Sequence, residues 1–345
     1  MPILENGAVK KIFLFLCVLA VIAGFWVWRS LAPVDSGNQQ MTLLKVESGE
    51  SLGQIAAKLE QQHLVRSALA CKLAARITGV AGVLKAGAFI IRPSDSCLAI
   101  LSILVGGKSQ TVSVTIPEGS TLADIDRLLA NKGLGETGAI LDCAFHCDFS
   151  SFDFLPVKAA GSRELGYGSR LEGYLFPETY FVSVAEYQPK FFLERLLGTF
   201  RKRIIDPYGT KVTESKRSLH DLVIMASLVE KESAEGDERP IVASILWKRL
   251  ASRVPLGVDA VTRYVLGKRT EALTKTDLEI DSPYNTRKHT GLPPSPIANP
   301  GASAFVAALQ PTETGYWYYL HDSHGTIHYA VTNEEHNRNR ALYLR

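Results

Sequence analysis

A chain of 345 residues has room for a membrane anchor and two compact units, since domains run to about 100 to 200 residues. A composition of 46% hydrophobic and 21% charged residues, with 27 Gly and 16 Pro, is that of a folded globular protein and excludes a disordered or collagen-like chain. The 38 basic and 35 acidic residues give a formal charge of +3 without any block of like charges, so no nucleic-acid partner is expected.

The first element in chain order is Ile12 to Trp28, a run without charge preceded by Lys10 and Lys11 and closed by Trp26, Trp28 and Arg29. Its length is the lower limit for a helix that spans a bilayer, so residues 12–28 are expected to be a transmembrane helix. Bulky Phe25, Trp26 and Trp28 stand where a signal peptidase would need small residues, so the segment reads as an uncleaved anchor. Two lysines before it against one arginine after it place residues 1–11 in the cytoplasm and the rest outside the cytoplasmic (inner) membrane. Residues 29–40, with Pro33, Ser36, Gly37 and Asn38, read as a tether.

Cys17 falls in the anchor, leaving Cys71, Cys97, Cys143 and Cys147. An even number fits two disulfides in an oxidising compartment, and buried free thiols are the alternative. Cys143, His146 and Cys147 fall short of a zinc site, and no metal ion is expected.

From Met41 a pattern recurs with an offset of seventy residues. Val46, Gly49, Ser51, Leu52, Ile55 and Leu59 match Ile116, Gly119, Thr121, Leu122, Ile125 and Leu129. Each copy reads as strand, tight glycine turn, Ser or Thr cap, and apolar residues at helical spacing. The first copy, closed by a strand at Ala88 to Arg92, resembles a LysM-like module, the strand-helix-helix-strand unit associated with GlcNAc-containing glycans. Glycan affinity does not follow from that likeness, because the same unit could serve as a spacer. Ser96 caps a further helix expected to stop at Gly106 and Gly107.

Leu171 to Tyr180 joins aromatic residues, Gly173, Pro177, Glu172 and Glu178 in ten positions. That mixture suits a cleft wall, whereas the alternation of Tyr174, Phe176 and Tyr180 suits a half-buried strand. Leu219 to Val229 is apolar beyond its first turn, with Ser218 as a cap, and should be a helix buried on most sides. It delivers Glu230 and Glu232 to its end, a place where desolvation favours the protonated carboxyl that glycoside cleavage needs as a proton donor. Helical geometry alone does not choose between the two, and both could equally be exposed carboxylates in salt bridges.

Met225 to Ser233, Leu171 to Tyr180, Ser282 to Thr286 and Gly291 to Gly301, in that relation to the anchor, resemble the MltG (YceG-like) family of membrane-anchored endolytic murein transglycosylases. The resemblance extends to His336 and Asn337. It implies an endolytic cut of the MurNAc-GlcNAc β-1,4 bond of nascent peptidoglycan strands, with a 1,6-anhydroMurNAc end that limits strand length. It implies Glu232 as the catalytic acid/base, with Glu230 supporting it by like-charge repulsion. Glu172, Tyr174, Asp259, Tyr284, Asn285 and Thr286 become candidate substrate-binding residues, and turn formation or capping is the alternative for the last four. No cofactor is required, and peptidoglycan synthases are the partners implied. The rival readings are a noncatalytic glycan-binding scaffold and a two-carboxylate hydrolase using Glu178 or Asp259.

Five of the eight histidines lie between His289 and His336. The alternation of Tyr316, Tyr318 and Leu320 against Ile327, Tyr329 and Val331 predicts a hairpin turning near Asp322 to Gly325, with His321 and His324 merely flanking the turn. The expected fold is α+β: the anchor, a LysM-like module over 41–109, and a larger α+β catalytic domain over 110–345.

Overall fold

The computed structural model describes residues 6–106, 111–163, 167–184, 186–233, 236–268 and 271–344. Residues 1–5 of the expected cytoplasmic segment, Gly107 of the expected helix stop and the expected boundary at 109–110 lie outside these. The chain is a mixed α+β protein that divides into two compact units. The first holds the residues up to Val112 with Leu129–Gly135 and Phe181–Tyr187, and the second holds Ser113–Leu128, Glu136–Tyr180 and Gln188–Arg345.

The first unit opens with helix α1 (Asn6–Leu31). Its stretch Leu14–Leu31 is long and apolar enough to cross a membrane. At 1.5 Å per residue the whole helix measures about 39 Å, against a hydrocarbon core of about 30 Å. Strand β1 (Thr42–Val46) pairs antiparallel with β2 (Gly87–Ile91), Leu44 opposite Phe89. Between them run α2 (Leu52–Gln61) and α3 (Ala68–Ile77), and α4 (Cys97–Gly106) follows. Leu44, Val46, Ile55, Leu59, Phe89, Ile91, Ile100 and Leu104 form one core. A disulfide joins Cys71 of α3 to Cys97 of α4. The segment read as a tether is held down: Arg66 donates to the carbonyls of Pro33 at 2.9 Å and Val34 at 2.7 Å.

The seventy-residue repeat has a structural counterpart. Ser51 caps α2 with Gln54 in a reciprocal capping box, and Thr121 and Asp124 exchange the same two bonds at the start of α5 (Leu122–Asn131). Gly49 and Gly119 both take positive φ just before the cap. At the far ends His63 and Gly133 are left-handed, and Leu64 and Leu134 donate back to the carbonyls of Leu59 and Leu129. That is the Schellman stop, repeated at the same offset.

The second unit continues through α6 (Ala139–His146), whose Cys143 is bridged to Cys147. Where strand β3 (Thr111–Thr115) and strand β4 (Thr179–Ser183) belong to it, Thr115 and Thr179 meet at 2.9 Å. Then come α7 (Pro189–Phe200), a π-helical turn over Arg201–Ile205, and α8 (Asp206–Glu214). The wide turn sits just before Pro207, which has no N–H to continue the ordinary ladder.

Helix α9 (Leu219–Glu232) is the axis of this unit, with every residue from Leu222 to Val229 buried. Against it lie α10 (Arg239–Ala251), α11 (Asp259–Leu266) and α13 (Ala302–Leu309), with the short α12 (Lys275–Leu278) beside α11. The alanine-rich α13 packs against α9. Strands β5 (Tyr318–His321) and β6 (Ile327–Ala330) form a hairpin, and α14 (Asn333–Tyr343) closes the described chain. Asp322 donates to Thr326 across the loop and Gly325 is left-handed, φ 84°. This closure sets Tyr319 opposite Tyr329 and Tyr318 opposite Ala330. Tyr318 and Leu320 therefore share one face with Ala330 and His328, and Tyr319 and His321 share the other with Tyr329 and Ile327.

Candidate active site

The apolar run of α9 forces it into the interior, because a helix hydrophobic on all sides has nowhere else to bury its surface. Ser218 starts it by accepting from Asp221 N at 3.0 Å. Ser233 stops it by turning extended, φ −123°. Glu232 is thus the last helical residue, at the end where the unpaired carbonyls of the macrodipole disfavour a negative charge. The Ser233 hydroxyl beside it is buried without a hydrogen-bond partner among the described residues.

Around Glu232 the structure gathers residues distant in sequence. Tyr319 of β5 donates to its Oε2 at 2.8 Å. Burial pushes the Glu232 carboxyl above its ordinary range; the Tyr319 bond opposes this, Asp259 adds to it by like charge, and His321 and Arg287 oppose it. Tyr319 is itself pushed well above the usual tyrosine value, first by burial and then by Glu232, so it stays a donor. Asp259 opens α11 and is paired with Arg287, whose Nε and Nη2 lie 3.0 and 2.5 Å from Oδ1. His321, read as a turn-flanking residue, lies on the same strand face as Tyr319, with Nε2 3.2 Å from Oε2 of Glu238.

Glu230 is turned elsewhere, two residues and some 200° around the helix. Its carboxyl pairs with Arg239 at 2.7 Å and accepts from Gly301 N at 2.9 Å. The like charge that bears on Glu232 comes from Asp259.

Glu172 is only 2% exposed. Its Oε1 accepts from Leu122 N at 3.0 Å and Asn299 Nδ2 at 3.1 Å, and its Oε2 accepts from Tyr264 Oη at 3.1 Å. Burial, against those bonds, pushes its carboxyl up to about 8. Asn299 uses its whole amide there: Oδ1 accepts from Gly173 and Leu175, and Nδ2 donates to Ser120 O and Glu172. Tyr174 is buried, with its hydroxyl 2.9 Å from His220 Nδ1.

Tyr284 is buried with its hydroxyl 2.6 Å from Ser295 Oγ. Asn285 Nδ2 donates to the carbonyls of Leu278 and Ile280, and Thr286 Oγ1 accepts from Val258 N at 3.0 Å. The structure thus puts the charge of Asp259 within electrostatic reach of Glu232 and sets Glu172, Tyr174, Tyr284, Asn285 and Thr286 in the framework. The Gly291 to Gly301 segment is irregular, as its prolines require, and its second half is buried. Ile297 N donates to Ser227 Oγ of α9 at 3.1 Å. Sequence reasoning missed Tyr319, Arg287 and Asn299. The alternation Tyr319-Leu320-His321, a polar pair on one face of a hairpin, was the available signal for the first.

The pattern of the YceG-like family matches residues 44–342. The chain belongs to the YceG-like family. Among its relatives, an endolytic murein transglycosylase of Bacillus subtilis (strain 168) is 31% identical, over 94% of this chain and 91% of that protein. One of Streptococcus pneumoniae serotype 2 (strain D39) is 28% identical over 97% of this chain, which spans 65% of that relative's length. The crystal structure of a yceG-like protein from Listeria monocytogenes superposes with a TM-score of 0.60 at 29% identity, covering 86% of this chain and 98% of that one. This YceG-like chain therefore shares its architecture with a solved family member.

Proposed function

We propose that this YceG-like protein is an endolytic murein transglycosylase that cuts the MurNAc-GlcNAc β-1,4 bond of nascent peptidoglycan strands, with Glu232 as acid/base. The observation that carries the reading is the raised carboxyl of Glu232 at the end of a buried helix, hydrogen-bonded by Tyr319. Its agreement with the relatives that are endolytic murein transglycosylases supports the substrate.

In the first half of the reaction protonated Glu232 gives its proton to the glycosidic oxygen, and the C1–O bond breaks through an oxocarbenium-like state. The Glu232 carboxylate, stabilised by the Tyr319 hydroxyl, then takes the proton of the MurNAc C6 hydroxyl as that oxygen closes onto C1. One proton enters and one leaves, no water is consumed, and the product carries a 1,6-anhydro end. Burial keeps the resting acid protonated, and Asp259 adds to this by like charge. Glu230, paired to Arg239 and holding Gly301, supports the site by fixing the end of the proline-rich segment against α9.

On this reading α1 is a single-pass anchor in the cytoplasmic membrane with its N-terminus inside, and the two disulfides suit the oxidising side. Residues 41–109 act as a LysM-like module, supported by their strand-helix-helix-strand order, and 110–345 as the catalytic domain. Peptidoglycan synthases that make the strand are the expected neighbours.

The test is mass spectrometry of uncross-linked glycan strands incubated with the wild type, Glu232→Gln and Glu230→Gln. Anhydro-ended products from the wild type, absent with Glu232→Gln and present with whatever Glu230→Gln remains folded, are expected. Reducing ends would point to hydrolysis with a second carboxylate, and no products from the wild type would leave a glycan-binding scaffold.

A further inference from the structure

The second unit contains a cavity of about 460 Å³ whose lining includes Arg127, Lys231, Arg263 and Lys268, with Tyr167 and Tyr264 as apolar wall and Asp124 as its carboxylate. Two of its lining residues stand next in sequence to the proposed acid and to Asp259. Lys231 immediately precedes Glu232 on α9, and Ala260 immediately follows Asp259 on α11. Arg263 lies one helical turn beyond Asp259 on the same face, about 6 Å along the axis.

The four cations are not equally committed. Arg127 pairs with Asp124 at 2.6 Å, and Lys268 pairs with Asp277 at 2.6 Å. Arg263 donates to the backbone carbonyl of Glu271 at 2.5 Å, and Lys231 to that of Gly119 at 3.3 Å. A carbonyl satisfies a donor without cancelling its charge. Among the described residues neither Arg263 nor Lys231 is paired with a carboxylate, so two positive charges face a concave, partly apolar space.

We infer that this cavity seats the peptide stem of the substrate, with Arg263 and Lys231 receiving its carboxylates. The inference rests on the peptidoglycan reading above. In peptidoglycan the stem hangs from the lactyl ether at C3 of MurNAc, two ring bonds from the C1 that reacts, and carries carboxylates along its length and at its end. A sugar held with its C1 at Glu232 therefore presents its stem within reach of a neighbouring site. The glycan itself is uncharged between stems, so a net positive cavity has nothing to recognise in the sugars alone. Binding energy taken from the stem, remote from the bond that breaks, would position C1 against Glu232.

The test measures binding to the full chain in detergent by calorimetry, with three probes: N-acetylmuramyl pentapeptide with free carboxyl groups, the same compound with its carboxyls as amides, and the peptide-free GlcNAc-MurNAc disaccharide. The wild type should bind the free acid about tenfold or more tighter than the amide, as for a charge-assisted pair of hydrogen bonds. Arg263→Met should bring the two within about twofold, Lys231→Met should reduce the difference, and Arg263→Lys should retain part of it. Equal affinity of the wild type for acid and amide would overturn the inference, as would an undiminished preference in Arg263→Met. The two readings fail separately. A preference for the acid without any anhydro-ended product from strands removes the reaction and keeps the site, whereas anhydro ends without the preference do the reverse.

Discussion

In the proposed mechanism burial does most to keep Glu232 protonated, and two opposed smaller influences act on it that single substitutions separate. Tyr319 donates to the carboxylate and so favours ionisation, while Asp259 opposes it. Because the first step needs the protonated acid, activity should fall as pH rises through the Glu232 value. Tyr319→Phe should move that alkaline limb to higher pH by roughly one unit, the worth of one hydrogen bond, and lower kcat. Asp259→Asn should move it to lower pH, the more so because Arg287 loses its partner. A pH series of anhydro-product formation checks both, and limbs moving in the same direction would contradict this account.

Glu172 provides a second residue-scale test, read in stability. Its carboxyl sits near 8 when folded against an ordinary 4.5. The folded state thus holds a proton that the unfolded chain has already released. This contribution is complete below about 4.5 and is lost as pH rises toward 8, at up to about 1.4 kcal/mol per pH unit within that window. Glu172→Gln, which mimics the protonated acid, should unfold with a flatter dependence between pH 5 and 8 in denaturant melts. Neither carboxyl's surroundings could be read from its neighbours in sequence: Asn299 lies 127 residues from Glu172, and Tyr319 lies 87 from Glu232.

At the scale of elements, much was legible. The apolar run from Leu222 to Val229 announced a buried helix, and Ser218 announced its start. The seventy-residue repeat announced two glycine turns and two capped helices, which appear at Gly49 and Ser51 and again at Gly119 and Thr121. These features depend on local backbone energetics and need no distant partner. The hairpin's register was not legible, because side-chain alternation leaves open which residue of the other strand stands opposite.

The segment around Gly173 was ambiguous for a related reason, since its mixed composition suits a cleft wall and its alternating aromatics suit a half-buried strand. The fold made it a packed loop. Gly173 has φ 89°, and a Cβ there would lie 2.5 Å from Pro296 and 2.7 Å from Val223. Gly173→Ala should therefore cost about 2 to 4 kcal/mol in thermal or denaturant unfolding, combining strain with overpacking. A variant within about 0.5 kcal/mol of wild type would mean that the proline-rich segment yields easily.

For the whole molecule, the anchor reading predicts a fractionation result. The full chain should pellet with membranes and resist extraction by salt or alkali, and a chain lacking residues 1–31 should not. With spheroplasts, external protease should digest the folded units while a tag at the N-terminus stays protected. Protection of the units instead would reverse the orientation.

The sequence by itself determined one apolar helix near the N-terminus, the mixed α+β class, the family and the pair of glutamates at the end of a buried helix. All of these depend on composition, periodicity or contiguous residues. Only the tertiary structure decided that Glu230 is committed to Arg239 while Glu232 faces Tyr319 and Asp259, and that the cysteines pair as Cys71 with Cys97 and Cys143 with Cys147. It also decided that Tyr174, Tyr284, Asn285 and Thr286 spend their polar groups on the framework. The reason is physical: a carboxyl's proton affinity follows the charges and solvent within a few ångströms, and in this fold those groups come from α9, α11 and β5 together.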